Sequence, residues 1–403
     1  MVELHIVDNS HQDSLTMSGG ERIAIELTRN WVSSGNVKVV VQGSNLTEAL
    51  WRRYVEDPRI SFSKISNLNE NESLLHSYPK RVFQGIRYAF GLNMNPEVEN
   101  LLYTASDFWP DSLPGLIIYL RNRDRCRWIA GFFMFAPNPL KGFRENGPWR
   151  LPSVRNIVYW ASQKLAYHVV RRFADAVFVT SEPDVDRFVS PRRAREKVIV
   201  IRGGVDVPPA DRLDEGDSVE DRYDAVFVGR FHPQKGVVEL IDIWGMVCEE
   251  IPEARLALIG VGRLEEEVRG RITSLGLDTE IDVLGFLDGE PKHEVFRKSK
   301  LILHPALYDS GGMAAAEGMA FGLPGVSYDL LALRTYYPRG MAKVPLGHPE
   351  EFAGTIVGLL NNREERDNLG RQARELITRE WSWDIQADRI WDSISAAGLL
   401  KDD

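Results

Sequence analysis

Cysteine is almost absent from this 403-residue sequence, which contains only Cys126 and Cys248. The two lie in different halves without the close spacing of metal ligands, which argues against a cysteine metal centre and against a structural disulfide. Long apolar runs are also missing, since the longest, 128–137, falls well short of the ~20 residues that span a bilayer. No basic-then-apolar export signal opens the sequence, and we therefore expect a cytoplasmic protein.

The residues that are present describe a globular protein with more than one domain. Hydrophobic residues make up 43% and charged residues 27% of the sequence, whose length is more than twice that of a typical domain of about 150 residues. The net charge of −9 is uneven, because residues 1–202 have a small excess of Lys and Arg while residues 203–403 hold the acidic excess. No RNA- or DNA-binding signature accompanies the basic excess, so we expect no nucleic-acid partner.

Short β-branched runs alternate with stretches of helical period, which predicts an α/β protein with parallel sheets covered by helices. The expected strands are 4–7, 37–41, 128–133, 176–180 and 197–201 in the first half, and 225–228, 255–259, 281–284, 301–304 and 325–327 in the second. A change of composition over 203–222 predicts an interdomain linker, with the boundary near residue 205. Residues 60–100 follow neither period for long, so we expect them to be irregular or lid-like.

The clearest chemical feature follows the strand 225–228, where Gly-Arg-Phe-His-Pro-Gln-Lys-Gly runs from Gly229 to Gly236 into a helix. A lysine just before a helix start is electrostatically unfavourable, because the helix dipole is already positive there. An anion between the two would remove the conflict, and Arg230 and Lys235 could jointly clamp a diphosphate. The residues alone leave a second interpretation open, a solvated turn with two surface cations.

A glycine-led turn follows the strand 301–304. Gly311 and Gly312 precede a helix, so the backbone can approach a ligand closely and direct N–H groups at a phosphate. Glu317 lies one turn into that helix among Ala, Gly and Met, and a carboxylate in such packed surroundings needs a hydrogen-bonding partner. Vicinal ribose hydroxyls would satisfy it, and a basic residue elsewhere in the chain is the alternative.

Together these motifs resemble the donor site of the retaining family 4 glycosyltransferases, which belong to glycosyl transferases group 1 and have the GT-B fold. The resemblance rests on the Gly229–Gly236 turn, on Asp309 and Glu317, and on the Glu-Gly-Met-Ala-Phe-Gly-Leu-Pro run that begins at Glu317. It spans nearly the whole chain, since three further motifs match: Ser18-Gly19-Gly20-Glu21-Arg22, Gly204-Val205-Asp206 and Trp381-Ser382-Trp383.

The resemblance implies a GT-B architecture, with two Rossmann-like parallel-sheet domains facing a central cleft. Residues 1–204 would form the acceptor domain, 205–380 the nucleotide-sugar donor domain, and 381–403 a helix packing back on the first domain. Arg230 and Lys235 would neutralise the donor diphosphate, while Asp309 would contact the transferred sugar and Glu317 would hold the ribose. The other implied donor contacts are Gly19, Gly20, Gly229, Gly285, Phe286, Leu287, Gly311, Gly312 and Met313, with the base near 285–287.

The implied activity is retaining transfer of a hexose-type unit from a nucleotide diphosphate-sugar to a glycan, lipid-linked or small-molecule acceptor. No cofactor is expected, and no metal is required where Arg230 and Lys235 hold the charge. The sequence departs from the family pattern in three places. Asp309 is one methylene shorter than the usual glutamate and is followed by Ser-Gly-Gly instead of Gly-Phe-Gly, and Gly325 replaces a usual valine. The histidine that many family members have just after the strand 128–133 is absent. Asp107 is the nearest acceptor-side substitute for that histidine, although it also suits a loop-capping carboxylate.

Three other functions fit the same fold: a catalytically silent subunit that binds a partner enzyme, a nucleotide-sugar epimerase and a sugar phosphorylase. The missing histidine and the shortened acid favour the silent subunit, and the intact Arg230, Lys235 and Glu317 argue against it. The basic amphipathic segment 153–173 suits either peripheral membrane contact or a helix covering its own sheet. Asp184 and Asp186 form an Asp-x-Asp pair at an expected helix start, which we interpret as capping rather than metal binding.

Overall fold

The computed structural model describes residues 2–10, 17–35, 37–69, 72–142, 151–209 and 222–400. These residues form two compact units. The first unit combines the described parts of 2–140 and 151–203 with 383–400, and the second comprises 141–142 with the described parts of 204–382. The chain therefore passes between the units at Gly203–Gly204 and again at Ser382–Trp383. The acidic part of the expected linker, 210–221, lies outside the described residues.

The first unit is built on a seven-stranded parallel sheet with the order β3-β2-β1-β4-β5-β6-β7. Its strands are β1 Val2–Asp8, β2 Val37–Ser44, β3 Ile60–Ser66, β4 Glu99–Thr104, β5 Cys126–Gly131, β6 Ala176–Val179 and β7 Val198–Val200. Its helices are Gly19–Ser34, Asn45–Tyr54, Leu74–Gly91, Trp109–Arg121, Val154–Phe173, Glu182–Phe188 and Trp383–Ala396. The central strands are apolar and fully buried, as expected for parallel strands covered on both faces.

The second unit has a six-stranded parallel sheet with the order β10-β9-β8-β11-β12-β13. Its strands are β8 Tyr223–Val228, β9 Leu256–Ile259, β10 Ile281–Gly285, β11 Ser299–His304, β12 Gly325–Tyr328 and β13 Met341–Val344. Its helices are Val237–Glu250, Glu265–Leu275, Glu290–Arg297, Met313–Met319, Leu331–Tyr336, Pro349–Asn361 and Arg363–Glu380. Phe227, Trp244 and Phe352 belong to the apolar core on one side of this sheet. Two Rossmann-like parallel-sheet domains are therefore present, as the sequence predicts.

The expectation of irregular or lid-like structure over 60–100 is wrong. This segment contains the edge strand β3, the helix Leu74–Gly91 and the start of β4. Its helix reverses the usual pattern, because Ser77 and Arg81 are buried whereas Phe83 and Phe90 are exposed. Arg81 donates to the carbonyls of Ser10 and Ser77, so its burial is matched by hydrogen bonds. A helix that buries polar residues and exposes aromatic ones cannot be recognised from the spacing of its apolar residues.

Within the described residues, no helix combines the length and the apolar character needed to cross a bilayer.

Candidate functional site

The central strands of the second sheet, β8 and β11, are neighbours whose connections run to opposite sides of the sheet. After β8 the chain continues to β9, and after β11 it continues to β12 on the other side. In open parallel sheets a ligand crevice forms outside the carboxyl ends of the strands at such a switch point. The two motifs singled out in the sequence begin at these two strand ends, after Val228 and after His304.

Lys235 and Asp309 form an ion pair that joins the two strand ends. Lys235 closes the short 3-10 helix Pro233–Lys235, and its Nζ lies 2.6 Å from Oδ2 of Asp309. The Asp309 side chain is only 8% exposed. Arg230, at the start of the same loop, is exposed. The structure therefore brings Lys235 to the Gly311 turn, as the phosphate-site hypothesis requires, while Arg230 stays exposed at the start of its loop.

The Asp309 carboxylate also organises its own loop. Its Oδ1 accepts the backbone N–H groups of Ser310 at 2.8 Å, Gly311 at 3.2 Å and Gly312 at 3.3 Å. Oδ2 lies 3.0 Å from Nε2 of His304 in addition to its contact with Lys235. Burial alone would raise the pKa of Asp309, but the charge of Lys235 and the hydrogen bond from His304 hold it well below its usual value. This carboxylate is thus ionised and accepts five contacts from the protein, and its predicted contact with the sugar stays a prediction.

The glycine turn is held from behind by aromatic side chains. Gly312 has a φ of +64°, and a Cβ built there would lie 3.0 Å from the Leu333 side chain, so the position favours glycine. The hydroxyl of Tyr337 donates to the carbonyl oxygens of Gly312 at 2.8 Å and Gly311 at 3.3 Å. Trp381 stacks on the Tyr337 ring with a centroid distance of 5.1 Å and an interplanar angle of 17°. The loop is therefore fixed on a buried aromatic support.

Glu317 has a basic partner that the sequence did not identify. Oε2 of Glu317 lies 3.0 Å from Nζ of Lys292, which also contacts Oδ1 of Asp288 at 3.1 Å. Lys292 is buried on the helix Glu290–Arg297, whose start follows β10. The alternative of a basic partner for Glu317 is thus realised in the structure, and its binding of a ribose stays a prediction.

The segment expected to hold the base, 285–287, leaves the end of β10 beside β9. The carbonyl of Gly285 accepts the N–H of Gly260 at 2.7 Å, so this backbone oxygen is already engaged. The Phe286 side chain is 61% exposed at the loop tip. Gly229 is tied to the same edge, since its N–H donates to the carbonyl of Ile259 at 3.0 Å. The loops after β8, β9, β10 and β11 consequently meet at one edge of the sheet.

Sequence reasoning missed His304, Tyr337 and Lys292. His304 ends β11, and a histidine at the carboxyl end of a parallel strand is a signal that could have been used. Tyr337 and Lys292 lie 25 residues from the groups they contact, Gly312 and Glu317. A short sequence motif cannot indicate a contact between residues so far apart in the sequence.

In the first unit, Asp107 lies in the loop after β4, at the carboxyl edge of the sheet. Oδ2 of Asp107 accepts Nε2 of Gln163 at 2.9 Å, and the same nitrogen donates to the carbonyl of Met134 at 2.8 Å. Gln163 also accepts the N–H of Ala136 at 2.5 Å, so the amide is fixed on both sides. Burial raises the pKa of Asp107 to about 6, and the hydrogen bond from Gln163 limits the rise. An oriented carboxyl group that titrates near neutrality is suited to proton transfer.

A second buried carboxyl group, Asp111, lies at the start of the helix Trp109–Arg121. Its Oδ1 accepts the N–H of Asn9 at 2.6 Å, and its Oδ2 accepts the hydroxyl of Ser106 at 2.5 Å. Burial, together with the nearby negative charge of Asp8, raises the pKa of Asp111 to about 8. Asp111 ties the end of β1 to the loop after β4.

Gly19 and Gly20 open the helix Gly19–Ser34, as the sequence predicts. Ser18 and Glu21 form a capping box, in which Glu21 accepts the N–H of Ser18 at 2.7 Å and Ser18 accepts the N–H of Glu21 at 3.3 Å. A Cβ at Gly20 would come within 2.8 Å of the Phe133 ring, which is a packing reason for glycine there. The structure does not bring Gly19 or Gly20 together with the other predicted donor residues inside one unit.

The predicted capping pair Asp184 and Asp186 lies in the helix Glu182–Phe188. Asp184 is in its first turn and contacts Arg187 at 3.2 Å, while Asp186 contacts Arg195 at 3.5 Å. Over the described ranges, no group of three or more His, Cys, Asp and Glu side chains is arranged to hold a metal ion.

Comparison with known proteins places these observations in a family context. Residues 212–376, less than half of the chain, match the family model described as Glycosyl transferases group 1. The chain is 25% identical over 168 residues to an uncharacterized glycosyltransferase of Methanocaldococcus jannaschii. The aligned residues make up 41% of this chain and 43% of that relative. The chain thus spans less than half of the length of this curated relative. The resemblance to group 1 glycosyltransferases is confirmed.

Solved structures extend the likeness over the whole chain. Sucrose-phosphate synthase from Thermosynechococcus elongatus has a TM-score of 0.73 at 18% identity, covering 98% of this chain and 100% of that one. The Anabaena protein HepE in complex with UDP and glucose has a TM-score of 0.70 at 16% identity, covering 98% and 99%. At these identities the likeness shows the fold alone, and it confirms the GT-B architecture.

Proposed function

We propose that this protein is a glycosyltransferase that takes a sugar from a nucleotide diphosphate-sugar held in its second unit. The observation that carries the proposal is the Lys235–Asp309 ion pair at 2.6 Å, which joins the ends of β8 and β11 beside the Gly311 turn. This is the place where an open parallel sheet binds ligands. The family match over 212–376 and the likeness to HepE bound to UDP and glucose support the same assignment.

In the proposed reaction, Arg230 and Lys235 neutralise the negative charge that builds on the diphosphate as it leaves. Fixed cations of this kind stabilise a leaving group most strongly where water is excluded, and they do so without a metal ion. Glu317, oriented by Lys292, holds the ribose hydroxyls, and Phe286 lies where the base is expected. Asp309 keeps Lys235 and the glycine turn in position and contacts the transferred sugar. We propose a hexose unit and retention of its anomeric configuration.

The acceptor side of the proposal rests on Asp107 in the first unit. Its carboxyl group is oriented by Gln163 and has a pKa of about 6, so it is largely ionised at neutral pH. It can accept a hydrogen bond from an acceptor hydroxyl and take up its proton. We assign it the place that a histidine has in many relatives.

We further propose that the acceptor is lipid-linked and is met at an anionic membrane surface through the helix Val154–Phe173. Apolar side chains at its start are exposed, Val154 by 77% and Val158 by 60%, and Leu165 further along by 62%. Arg155 and Lys164 share this helix, and Lys164 lies over the Trp160 ring at 5.2 Å. Exposed apolar groups flanked by cations suit the interface of a bilayer with anionic headgroups.

Vesicle flotation tests the membrane contact. The protein should float with vesicles of phosphatidylcholine and phosphatidylglycerol, and the double variant Val154→Ser/Val158→Ser should lose this binding. Phe83→Ser, which removes another exposed apolar side chain of the same unit, is the matched control and should bind like the parent. Equal flotation of all three proteins would contradict a contact through this helix.

A donor panel tests the central proposal. The pure protein is incubated with UDP-, GDP-, ADP- and dTDP-sugars, and thermal shift and slow donor hydrolysis are followed. One nucleotide should stabilise the protein, and Lys235→Ala and Glu317→Ala should each abolish that stabilisation. Lys298→Ala is the matched control, because Lys298 pairs with Glu294 on the surface of the same unit at 2.5 Å. Unchanged donor shifts in both site variants would overturn the proposed site.

A catalytically silent subunit is the second candidate. It is favoured by the internal pairing of both predicted donor groups, Lys235 with Asp309 and Glu317 with Lys292. Such a protein would be stabilised by a nucleotide yet release no sugar from any donor of the panel. Hydrolysis or transfer of one donor at a rate that Arg230→Ala reduces would decide for the transferase.

A further inference from the structure

The positive charge at the donor site is unevenly compensated. Lys235 is offset by Asp309 at 2.6 Å, and Lys292 lies between Glu317 and Asp288. Arg230 is exposed and, in the part of the chain that the structure describes, makes neither a hydrogen bond nor an ion pair with protein groups. A nucleoside diphosphate-sugar has two negative charges on its diphosphate, so Arg230 alone leaves one of them unmatched.

A second exposed arginine, Arg263, lies on the loop that follows β9. This loop is bonded to the Arg230 loop at two points, since the N–H of Phe231 donates to Val261 at 2.9 Å and the N–H of Leu264 donates to Phe231 at 3.2 Å. Arg263 directly precedes Leu264, and Arg230 directly precedes Phe231. The backbone segments that carry the two arginines are therefore hydrogen-bonded to each other.

Glycines on either side of Val261 make this contact between loops possible. A Cβ at Gly260 would lie 1.9 Å from the carbonyl oxygen of Gly229, and a Cβ at Gly262 would lie 2.6 Å from that of Phe231. Any larger residue would force the two loops apart. The Gly-Val-Gly-Arg sequence after β9 thus brings the Arg263 backbone against the diphosphate motif.

His232 is influenced by the positive charges of both arginines. Burial lowers its pKa to about 4, and the charges of Arg263, Arg230 and Lys235 add to the effect. The neutral ring accepts the N–H of Gln234 through Nδ1 at 3.3 Å, so it adds no cation of its own. Over the described residues Arg263, like Arg230, has no hydrogen bond or ion pair with the protein. An anion bound here would therefore not compete with a protein carboxylate for either arginine.

We propose that Arg263 binds the donor diphosphate together with Arg230, as a second uncompensated cation that matches its second negative charge. The inference rests on the proposed donor site and adds a residue that the sequence motifs did not include. A planar guanidinium can bind two phosphate oxygens at once, so Arg263 should contribute to recognition of a diphosphate rather than of the nucleoside.

Direct binding measurements test this role. The Kd values of UDP, UMP and uridine, or the matching series for the base that the panel selects, are measured by calorimetry for the parent, Arg263→Gln, Arg230→Gln and Arg269→Gln. Arg263→Gln should weaken the nucleoside diphosphate by about tenfold to a hundredfold and the nucleoside hardly at all. Arg269 lies on the adjacent helix and pairs with Glu265 at 3.0 Å, so Arg269→Gln should bind like the parent.

The outcomes separate this inference from the proposed function. If Arg230→Gln loses affinity while Arg263→Gln keeps it, the donor site stands and the role of Arg263 is wrong. If Arg263→Gln weakens the diphosphate and the nucleoside equally, Arg263 does not read the diphosphate and the inference is also overturned. If neither variant changes any Kd, the proposed donor site itself fails.

Discussion

Buried carboxyl groups at the carboxyl edges of the two sheets have pKa values shifted in opposite directions. In the second unit, Lys235 and His304 keep Asp309 ionised despite its burial. In the first unit, no ion pair with a cation offsets the burial of Asp107 and Asp111 over the described residues, and their pKa values rise to about 6 and about 8. An environment that separates carboxyl pKa values in this way assigns different tasks to the same side chain.

The raised pKa of Asp107 predicts the pH dependence of the proposed transfer. A group that accepts a proton must be ionised, so kcat/KM should rise as the pH passes through about 6. Asp107→Asn should lower the rate by about a hundredfold at neutral pH and remove this rise. A pH–rate profile from pH 4.5 to 8.5 with the selected donor measures both effects.

Gln163 provides the control for that profile. Its hydrogen bond to Asp107 lowers the carboxyl pKa, so Gln163→Ala should move the midpoint of the profile to higher pH. A profile that is the same in the parent and in Asp107→Asn would leave Asp107 the role of loop capping.

Asp111 predicts a pH dependence of stability. Because its folded-state pKa of about 8 lies above the usual value of 3.8, the protonated group stabilises the fold at low pH, and this contribution is lost as the pH rises through about 8. Asp111→Asn is neutral at every pH, so it should match the parent near pH 4 and exceed its free energy of unfolding by about 1–3 kcal/mol at pH 8.5.

Urea unfolding of both proteins at the two pH values measures the difference. Asp124→Asn alters an exposed carboxyl group of the same unit and should show no such divergence. A variant no more stable than the parent at pH 8.5 would mean that Asp111 is ionised there without cost.

Individual residues of the candidate site could be proposed from the sequence where they stand in a short motif next to a strand. Arg230, Lys235, Asp309 and Glu317 were found in this way. Their partners were not, because Lys292 meets Glu317 only once β10 and β11 have taken their places on opposite sides of β8. Arg263 follows a plain Gly-Val-Gly, whose meaning depends on a backbone contact with Gly229 and Phe231.

At the scale of elements, the site depends on how the loop 309–312 is supported. Tyr337 binds two carbonyl groups of this loop, and Trp381 stacks on the Tyr337 ring. The carbonyl of Trp381 accepts the N–H of Val205 at 2.8 Å, so the support reaches the point where the chain enters the second unit. Tyr337 and Trp381 therefore act as positioning residues for the glycine turn.

Tyr337→Phe should weaken donor binding without touching the donor. The variant keeps the ring against Trp381 but leaves two buried carbonyl groups without their donor, which costs about 1–3 kcal/mol. We expect a rise of severalfold in the donor KM, a smaller change in kcat, and a lower melting temperature. Tyr88→Phe, which removes a tyrosine hydroxyl bonded to Ser63 at 2.7 Å in the other unit, should leave the KM unchanged. Equal KM values for parent and Tyr337→Phe would contradict the positioning role.

The sequence missed three strands: β3 and β13, which lie at the edges of their sheets, and the central strand β4. β3 is an edge strand with exposed Ser61 and Lys64, and β13 has only four residues, Met341–Val344. β4 contains the apolar residues Leu101 and Leu102, but it follows the helix Leu74–Gly91, whose buried polar residues gave this part of the sequence no clear period. Period alone identifies elements that are buried in the ordinary way, and it fails where polar groups are buried instead.

At the scale of the whole molecule, both ends of the chain contribute to the first unit. The helix Trp383–Ala396 packs against the helix Gly19–Ser34, with the Trp31 and Trp391 rings 5.3 Å apart. Nε1 of Trp31 donates to the carbonyl of Ala387 at 2.9 Å. The apolar face of this last helix includes Ile390 and Ile394, which are almost fully buried. The last helix of the first unit therefore follows the whole of the second unit in the sequence.

Ile394→Ala should consequently destabilise the first unit, most of which is distant from Ile394 in sequence. It should spare the second unit, which directly precedes this helix in the chain. Loss of a fully buried isoleucine side chain costs about 2–5 kcal/mol, and Ile394 belongs to the first unit. Amide hydrogen exchange should accelerate in β1 and in the helix Gly19–Ser34, while β8 and β11 exchange as in the parent. Ser395→Ala, at an exposed neighbouring position, is the control and should change neither. A cavity in the core of the first unit should not by itself accelerate exchange in the second unit. Exchange in β8 and β11 that accelerates as much as in β1 would therefore mean that the two units unfold together, and it would contradict the prediction.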